Sequence, residues 1–423
     1  MQRAALGLLV LAGVINYIDR ATLAIANPLI RHDLGLSIRD MGLLLSAFLW
    51  AYAFAQLPSG ALIDRLGPRL LLTIGLTVWS GAQVLGGLVR SFPEFYAARM
   101  LLGLGEGPQF PTCARVVRDW FNLRSRGLAT GIFNCASTLG TAIAAPLLTW
   151  LMYIFGWRGM FIVMGVAGLI VAALWYAVYR APNAYALGAE ERAHLVEGDP
   201  PGEAPRITFA EWKALFRFRT TWGMIAGYFG TIYLTWIYTA WLPGYLELER
   251  HMSIAKTGWV AAIPYAFGVV GGILGGYVTD WLMARGAAPI ASRKYPMALA
   301  LAGTALATVG AALVASNVLA VALISLSIFL VFVTSSACWS MASVAAPSNC
   351  TASLGAIQNF GGYLGGALAP TITGIIVQET GSFVPALLVG AVIGLASAVA
   401  YVVIIRTPIT PAQLGGTVLA YAD

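Results

Sequence analysis

The chain has 423 residues, of which 59% are hydrophobic and only 10% charged, and its net charge is +7. Ordinary globular chains carry about 25% charged residues, so a soluble protein of two or three domains is excluded. Repeated apolar runs of about 20 residues and a mean hydropathy of +0.78 indicate a polytopic membrane protein instead.

Lipid satisfies no backbone N–H or C=O group, so the spans must be helices or a closed barrel. Barrel strands alternate every second residue over about ten residues, whereas these runs are longer and apolar on every face. The fold class expected is therefore all-α and polytopic, with twelve transmembrane helices in two six-helix bundles. The spans read as 4–30, 41–63, 69–90, 92–119, 126–152, 157–180, 221–248, 255–284, 294–316, 318–345, 351–378 and 382–406. They divide into a bundle over 1–180, a linker over 181–220, a bundle over 221–406 and a tail over 407–423. An even count puts both termini on one side. The loops and tails of that side hold 17 of the 25 Lys and Arg, the other side holds six, and Arg20 and Arg99 remain inside. The positive-inside rule then makes the termini cytoplasmic. The basicity is a topology signal and not a nucleic-acid site.

Span 1 carries Asp19 and Arg20 in the middle of an apolar segment. A charge at bilayer depth costs roughly 3 kcal/mol or more, so the pair demands a reason. No small-residue cleavage motif follows, and span 1 is read as retained rather than as a signal peptide. After span 2 comes Gly60-Ala61-Leu62-Ile63-Asp64-Arg65-Leu66-Gly67-Pro68-Arg69, and after span 8 comes Gly276-Tyr277-Val278-Thr279-Asp280 with Arg285. Each copy has a small residue, an acid at a helix end and bases closing a short loop, a repeat that fits a conformational latch made of Asp64, Arg65, Arg69, Asp280 and Arg285. Span 4 carries Arg99 and Glu106, seven residues apart and so on one face about 10 Å apart. Gly103, Gly105, Gly107, Pro108 and Pro111 interrupt that helix, as irregular helices lining a cavity do. The linker is the long polar stretch, and Trp212, Leu215 and Phe216 near its end, with Phe209, mark an amphipathic helix on the membrane surface.

The Gly-x-x-x-Asp-Arg-x-Gly-x-Arg loop resembles the signature loop of the major facilitator superfamily. Three further stretches narrow the likeness: 16–23 (Asn-Tyr-Ile-Asp-Arg-Ala-Thr-Leu), 99–111 (Arg-Met-Leu-Leu-Gly-Leu-Gly-Glu-Gly-Pro-Gln-Phe-Pro), and Trp120-Phe121 followed by Arg126-Gly127. These resemble the anion:cation symporter family, which includes bacterial sugar-acid/proton symporters for galactonate, glucarate and hexuronate, and the vesicular glutamate carriers. The resemblance implies a twelve-helix carrier with its site between the halves, and access that alternates as they rock.

The four buried charges sum to zero, as groups that neutralise one another in a low dielectric must. Arg20 is the natural carboxylate anchor, because a guanidinium forks onto a carboxylate and stays charged. Asp19 and Glu106 can exchange protons as an arginine partner leaves or arrives, which would couple the proton to the substrate. In the family resembled, the positions of Asp19 and Glu106 bind protons, that of Arg20 binds the substrate carboxylate, and that of Arg99 pairs with that of Asp19. The resemblance also assigns Tyr17, Tyr52, Asn134 and Ser137 to the substrate wall of the first half, although some relatives have Gln where Ser137 stands. Ser336, Trp339, Gln358 and Asn359 form its counterpart in the second half. Span 7 holds Tyr228, Tyr233, Trp236, Tyr238, Trp241 and Tyr245, read chiefly as packing, and lacks the Arg or Lys of vesicular-type carriers.

His32, His194 and His251 fall in loops without triad or metal partners, no GxxxxGK[ST] loop is present, and the chain is read as no enzyme. Cys113, Cys135, Cys338 and Cys350 share no CxxC spacing and are read as packing residues rather than disulfide or metal ligands. The expectation is a monomeric carrier in a bacterial inner membrane, importing an organic monoanion, a hexonate or hexuronate, with protons as the coupling ion and no other cofactor or metal. An aromatic carboxylate or dicarboxylic sugar acid, an exchanger or uniporter, and a membrane receptor for such an acid are the alternatives.

Overall fold

The computed structural model describes residues 2–185, 188, 190, 191, 195, 209–346 and 350–414. The polar core of the linker between 197 and 205 and the tail from 415 lie outside the described residues, as do the side chains of Asp64, Asn134 and Phe209. Among the described residues the regular structure is helical, with no strand.

The helices follow the twelve apolar runs. Gln2–Ile25 continues after Ala26 as Asn27–Leu34, and span 4 is divided into Phe92–Glu106 and Gln109–Trp120. Ile38–Leu88 and Leu123–Val178 each cover two expected spans. Gly67 (φ 74°, ψ 160°) breaks the first and Gly156 (φ 69°, ψ 172°) the second. Both sit where the sequence places a turn, and a side chain at positive φ would add strain of roughly 1–3 kcal/mol. Pro68 then starts span 3 with a preset φ. Arg219–Leu248, Ile254–Val260 with Ala262–Ala284, Ala291–Leu313, Asn317–Ala345, Thr351–Thr380 and Val384–Ile404 complete the series.

Nine segments among the described residues are long and apolar enough to cross a membrane. One of them, Leu139–Val178, is interrupted by Gly156 and serves spans 5 and 6. The two halves of span 4 are each too short for that criterion, and tyrosines and tryptophans dilute the apolarity of Arg219–Leu248.

Two compact units are present. The first comprises Met1–Pro201 with two returns of the later chain, Thr239–Ala262 and Pro370–Glu379. Those returns are bound by polar contacts inside the unit. Thr371 Oγ1 donates to Ser46 Oγ at 2.7 Å, the Ile38 N–H to Gln378 Oε1 at 3.1 Å, and Trp241 Nε1 to the Pro370 carbonyl at 3.1 Å. The second unit comprises Gly202–Tyr238, Ile263–Ala369 and Thr380–Asp423. Its core includes Met224, Tyr228, Leu301, Met341 and Tyr401. The short helix Phe209–Ala214 and the turn Leu215–Arg217 deliver Leu215 fully into that core, with Trp212 and Phe216 packed against it. The apolar side of the linker helix thus packs on protein, where the sequence expected it to lie on the membrane surface.

Candidate functional site

The site grows from one close approach in the first unit. A Cβ at Gly103 would stand 2.3 Å from the Phe48 carbonyl oxygen and 2.9 Å from the Tyr52 nitrogen, so only glycine lets span 4 lie this near span 2. That approach brings Arg99 and Glu106, one helical face of span 4, against the aromatic face of span 2.

Arg20 lies at the centre and is 5% exposed. Its Nε donates to Glu106 Oε2 at 2.8 Å, so Glu106 is the acid that partners it. Its guanidinium carbon lies 4.8 Å from the Tyr17 ring centroid, 5.1 Å from that of Phe48 and 4.8 Å from that of Tyr52. Tyr17 and Arg20 share a face at three residues' spacing, as Phe48 and Tyr52 do at four, where their rings stack 5.7 Å apart. Three ring faces around one cation contribute electrostatic attraction of about 0.5–2 kcal/mol each and keep the guanidinium in place. The Tyr17 hydroxyl meets that of Ser137.

Arg99 is 2% exposed and lies on the same ring as Arg20, with its guanidinium carbon 5.4 Å from the Phe48 centroid. It is within electrostatic reach of Asp19 and Glu106. Neither Asp19 oxygen has a hydrogen-bond partner among the described residues, nor do Nε and Nη1 of Arg99. The Asp19–Arg99 pair that the family resemblance implies is therefore not closed in this structure, whereas Arg20–Glu106 is. Removing one member of a buried, closed pair leaves an uncompensated charge, which typically costs 3–5 kcal/mol.

Three residues of this region escaped the sequence reading. Asn16, Gln109 and Thr112 are 0–1% exposed; Asn16 faces Glu106, and the side-chain polar atoms of Gln109 and Thr112 have no hydrogen-bond partner among the described residues. Their signal was helical spacing: Asn16 is one turn from Arg20, and Gln109 is three residues beyond Glu106. An uncharged amide in an apolar run attracts less notice than a charge.

The second unit holds its own candidates. Trp339 is 57% exposed, and its ring meets that of Tyr228 edge-on at 6.5 Å. Ser336 packs beside Gly275 and Gly276 of span 8. Gln358 is buried and donates Nε2 to the Cys338 carbonyl at 3.1 Å, so one end of its amide supports the fold. Asn359 is half-buried. Span 7 behaves largely as packing: Tyr238 shares a 2.7 Å hydrogen bond with Thr308, and the Tyr245 hydroxyl accepts from Arg250 Nε at 2.7 Å. Cys113, Cys338 and Cys350 are buried thiols.

Of the expected latch, Asp64 lies outside the described side chains. Arg69 donates from Nε and Nη2 to the Tyr176 carbonyl at 3.0 and 2.7 Å and lies over that ring at 4.1 Å. The base thus caps the end of span 6. Arg285 lies over the Trp281 ring at 3.9 Å, and Asp280 and Arg65 are exposed.

A family model described as Major Facilitator Superfamily matches residues 9–370. The chain belongs to the Major Facilitator Superfamily. This superfamily member is 44% identical over 409 residues, 97% of the chain and 90% of the relative, to a probable L-galactonate transporter of Escherichia coli K12. It is 34% identical over 415 residues, 94% of the chain and 90% of the relative, to a probable galactarate/D-glucarate transporter of Bacillus subtilis 168. A crystal structure of a bacterial homolog to the human lysosomal transporter Spinster, inward-facing and unoccupied, matches the fold with a TM-score of 0.76 at 20% identity, covering 96% of this chain and 94% of that one. The chain is a multi-pass membrane transporter.

Proposed function

We propose that this transporter imports an organic monoanion, a hexonate or hexuronate, together with protons. The observation that carries the reading is Arg20: a buried guanidinium inside three aromatic faces that donates to the carboxylate of Glu106. A substrate carboxylate competes with Glu106 for the same fork, and a Glu106 displaced from Arg20 in a buried site is stabilised by taking a proton. Anion and proton thereby enter as a pair. Asp19, Arg99 and Glu106 form the coupling group, and Tyr17, Tyr52 and Ser137 line the substrate. The relatives named for galactonate and for galactarate or glucarate support a sugar-acid substrate. A single carboxylate fits better than two, because Arg99, the other buried base of the first unit, lies against the Phe48 ring and within reach of two acids, Asp19 and Glu106. The excess of Lys and Arg in the loops on the terminal side supports cytoplasmic termini in a bacterial inner membrane.

The test uses purified protein in liposomes with an inward proton gradient and labelled L-galactonate, a hexuronate and D-glucarate. Gradient-driven accumulation of a monocarboxylate is expected, and Glu106→Gln should abolish it. Accumulation that survives in Glu106→Gln would refute the proton role of that residue. Uptake indifferent to collapse of the gradient would establish exchange or uniport, and binding without flux a receptor.

A further inference from the structure

We propose that the seam between spans 1 and 4 is a proton path leading from Glu106 to the end of span 4, and that Gln109 is its positioning residue. The proposal rests on the proton coupling argued above. Spans 1 and 4 run antiparallel here: Arg20 meets Glu106 at mid-span, and Gln2 Nε2 donates to the Trp120 carbonyl at the far end. Between these two contacts lies a file of buried polar groups that the fold does not use. Glu106 gives Oε2 to Arg20, while its Oε1 has no partner among the described residues. Asn16 is fully buried and its amide faces the Glu106 carboxyl, the first rung of the file. Gln109 is 1% exposed with both amide atoms unpartnered. Its Nε2 would lie 3.5 Å from a Cβ on Gly13, one turn along span 1 from Asn16, which places the amide against span 1.

Thr112 continues the file one turn beyond Gln109. Thr141, Thr231, Thr304 and Thr308 return the hydroxyl to the carbonyl four residues back at 2.8–3.0 Å, whereas Thr149, Thr257 and Thr373 do not. Thr112 is fully buried, and its hydroxyl likewise makes no such bond.

The spacing fits proton transfer. Residues three or four apart on one helix face are separated by roughly 4.5–6 Å along the axis, about two hydrogen bonds end to end. One bridging water per step would connect the rungs, and buried waters characteristically satisfy polar groups of this kind. The proton leaves Glu106 Oε1, passes along the file, and the carboxylate left behind stays paired with Arg20. Seven residues beyond Thr112, on the same face, Asp119 accepts from Arg115 Nε at 2.9 Å at a half-buried position and marks the surface end of the file. The sugar acid has no access to this seam, whose polar groups are 0–1% exposed, so proton and anion part company below Arg20.

The experiment compares two transport modes of the full-length protein in liposomes, with L-galactonate as the probe. Net uptake driven by a proton gradient requires Glu106 to release its proton on each cycle. Exchange at equal pH on both sides lets the carrier return loaded and requires no release. Gln109→Leu and Thr112→Val should each slow net uptake about tenfold or more, less than the loss of a general acid or base costs because each is one rung of a water-bridged file, with exchange within about twofold of wild type. Gln109→Asn should recover part of the net rate. The path is overturned if Gln109→Leu supports net uptake at the wild-type rate, or if exchange and net uptake fall together as a packing defect would make them. Wild-type protein that shows no gradient-driven uptake would overturn the coupling itself, and the path with it.

Discussion

Asp19, Arg20, Arg99 and Glu106 bury two acids and two bases inside the first unit, while the interior of the second is held by hydroxyls and a thiol. There the Tyr401 hydroxyl lies 2.9 Å from Cys338 Sγ and 3.4 Å from Thr231 Oγ1, and Thr308 lies 3.3 Å from Ser327. Among the described residues the one buried charge of the second unit is Arg293, at the start of span 9, where the Pro289 carbonyl accepts from it at 3.0 Å. Arg293 apart, the buried interior of the second unit is packed with neutral groups. Each charge of the first unit costs solvation, and under the proposed function that cost serves chemistry rather than cohesion.

Four substitutions press on that contrast, from the largest effect to the smallest. Arg20→Lys should weaken L-galactonate binding by about 2–5 kcal/mol, roughly 30-fold or more, because a point charge replaces neither the fork nor the stacked plane. Calorimetric titration of the purified variant that returned near-native affinity would remove the anchor from the first unit. Gly103→Ala forces a methyl group onto the Phe48 carbonyl and should destabilise the protein by roughly 1–3 kcal/mol, visible as a lowered melting temperature. In the second unit, Tyr401→Phe removes one hydroxyl and should cost about 1 kcal/mol of stability while leaving coupled uptake unchanged. A loss of coupling in that variant would break the division of labour between the units.

The smallest effect is expected at Asp33, outside the spans, where the hydrogen-bonded Arg158 guanidinium holds the carboxyl below its usual range. A lowered native value means that the pair's contribution is complete above the unfolded value of about 3.9 and fades as pH falls through the native one. Melting curves of Asp33→Asn should thus differ slightly from wild type near neutrality and converge with it in acid.

The sequence was informative where physics makes a residue conspicuous. Apolar runs located the spans, Gly67 and Gly156 fell in the expected turns, and the four charges announced themselves by their cost in lipid. Helical spacing put Arg99 and Glu106 on one face, but pairing depends on side-chain direction and on the distance between helices. That is why Arg20–Glu106 emerged only with coordinates. Gln358 shows a second limit: an amide in a membrane helix reads as a ligand group, and here it spends its Nε2 on the Cys338 carbonyl. Arg69 shows a third, since the motif names an ion-pair latch while the described contact is to the Tyr176 backbone. Asn16 and Gln109 carried only periodicity, too weak a signal without the burial that isolates them.

The zero sum of the four buried charges has an electrical consequence. A carrier whose two acids and two bases are all ionised moves through the membrane field as a neutral body, and it remains neutral after taking one monoanion and one proton. The membrane potential then does no work on either half of the cycle. Each further proton adds a charge on which the field does about 2.3 kcal/mol of work per 100 mV. Voltage imposed on a liposome by a potassium gradient therefore counts protons: indifference reports one per anion, and acceleration by an inside-negative potential reports more than one.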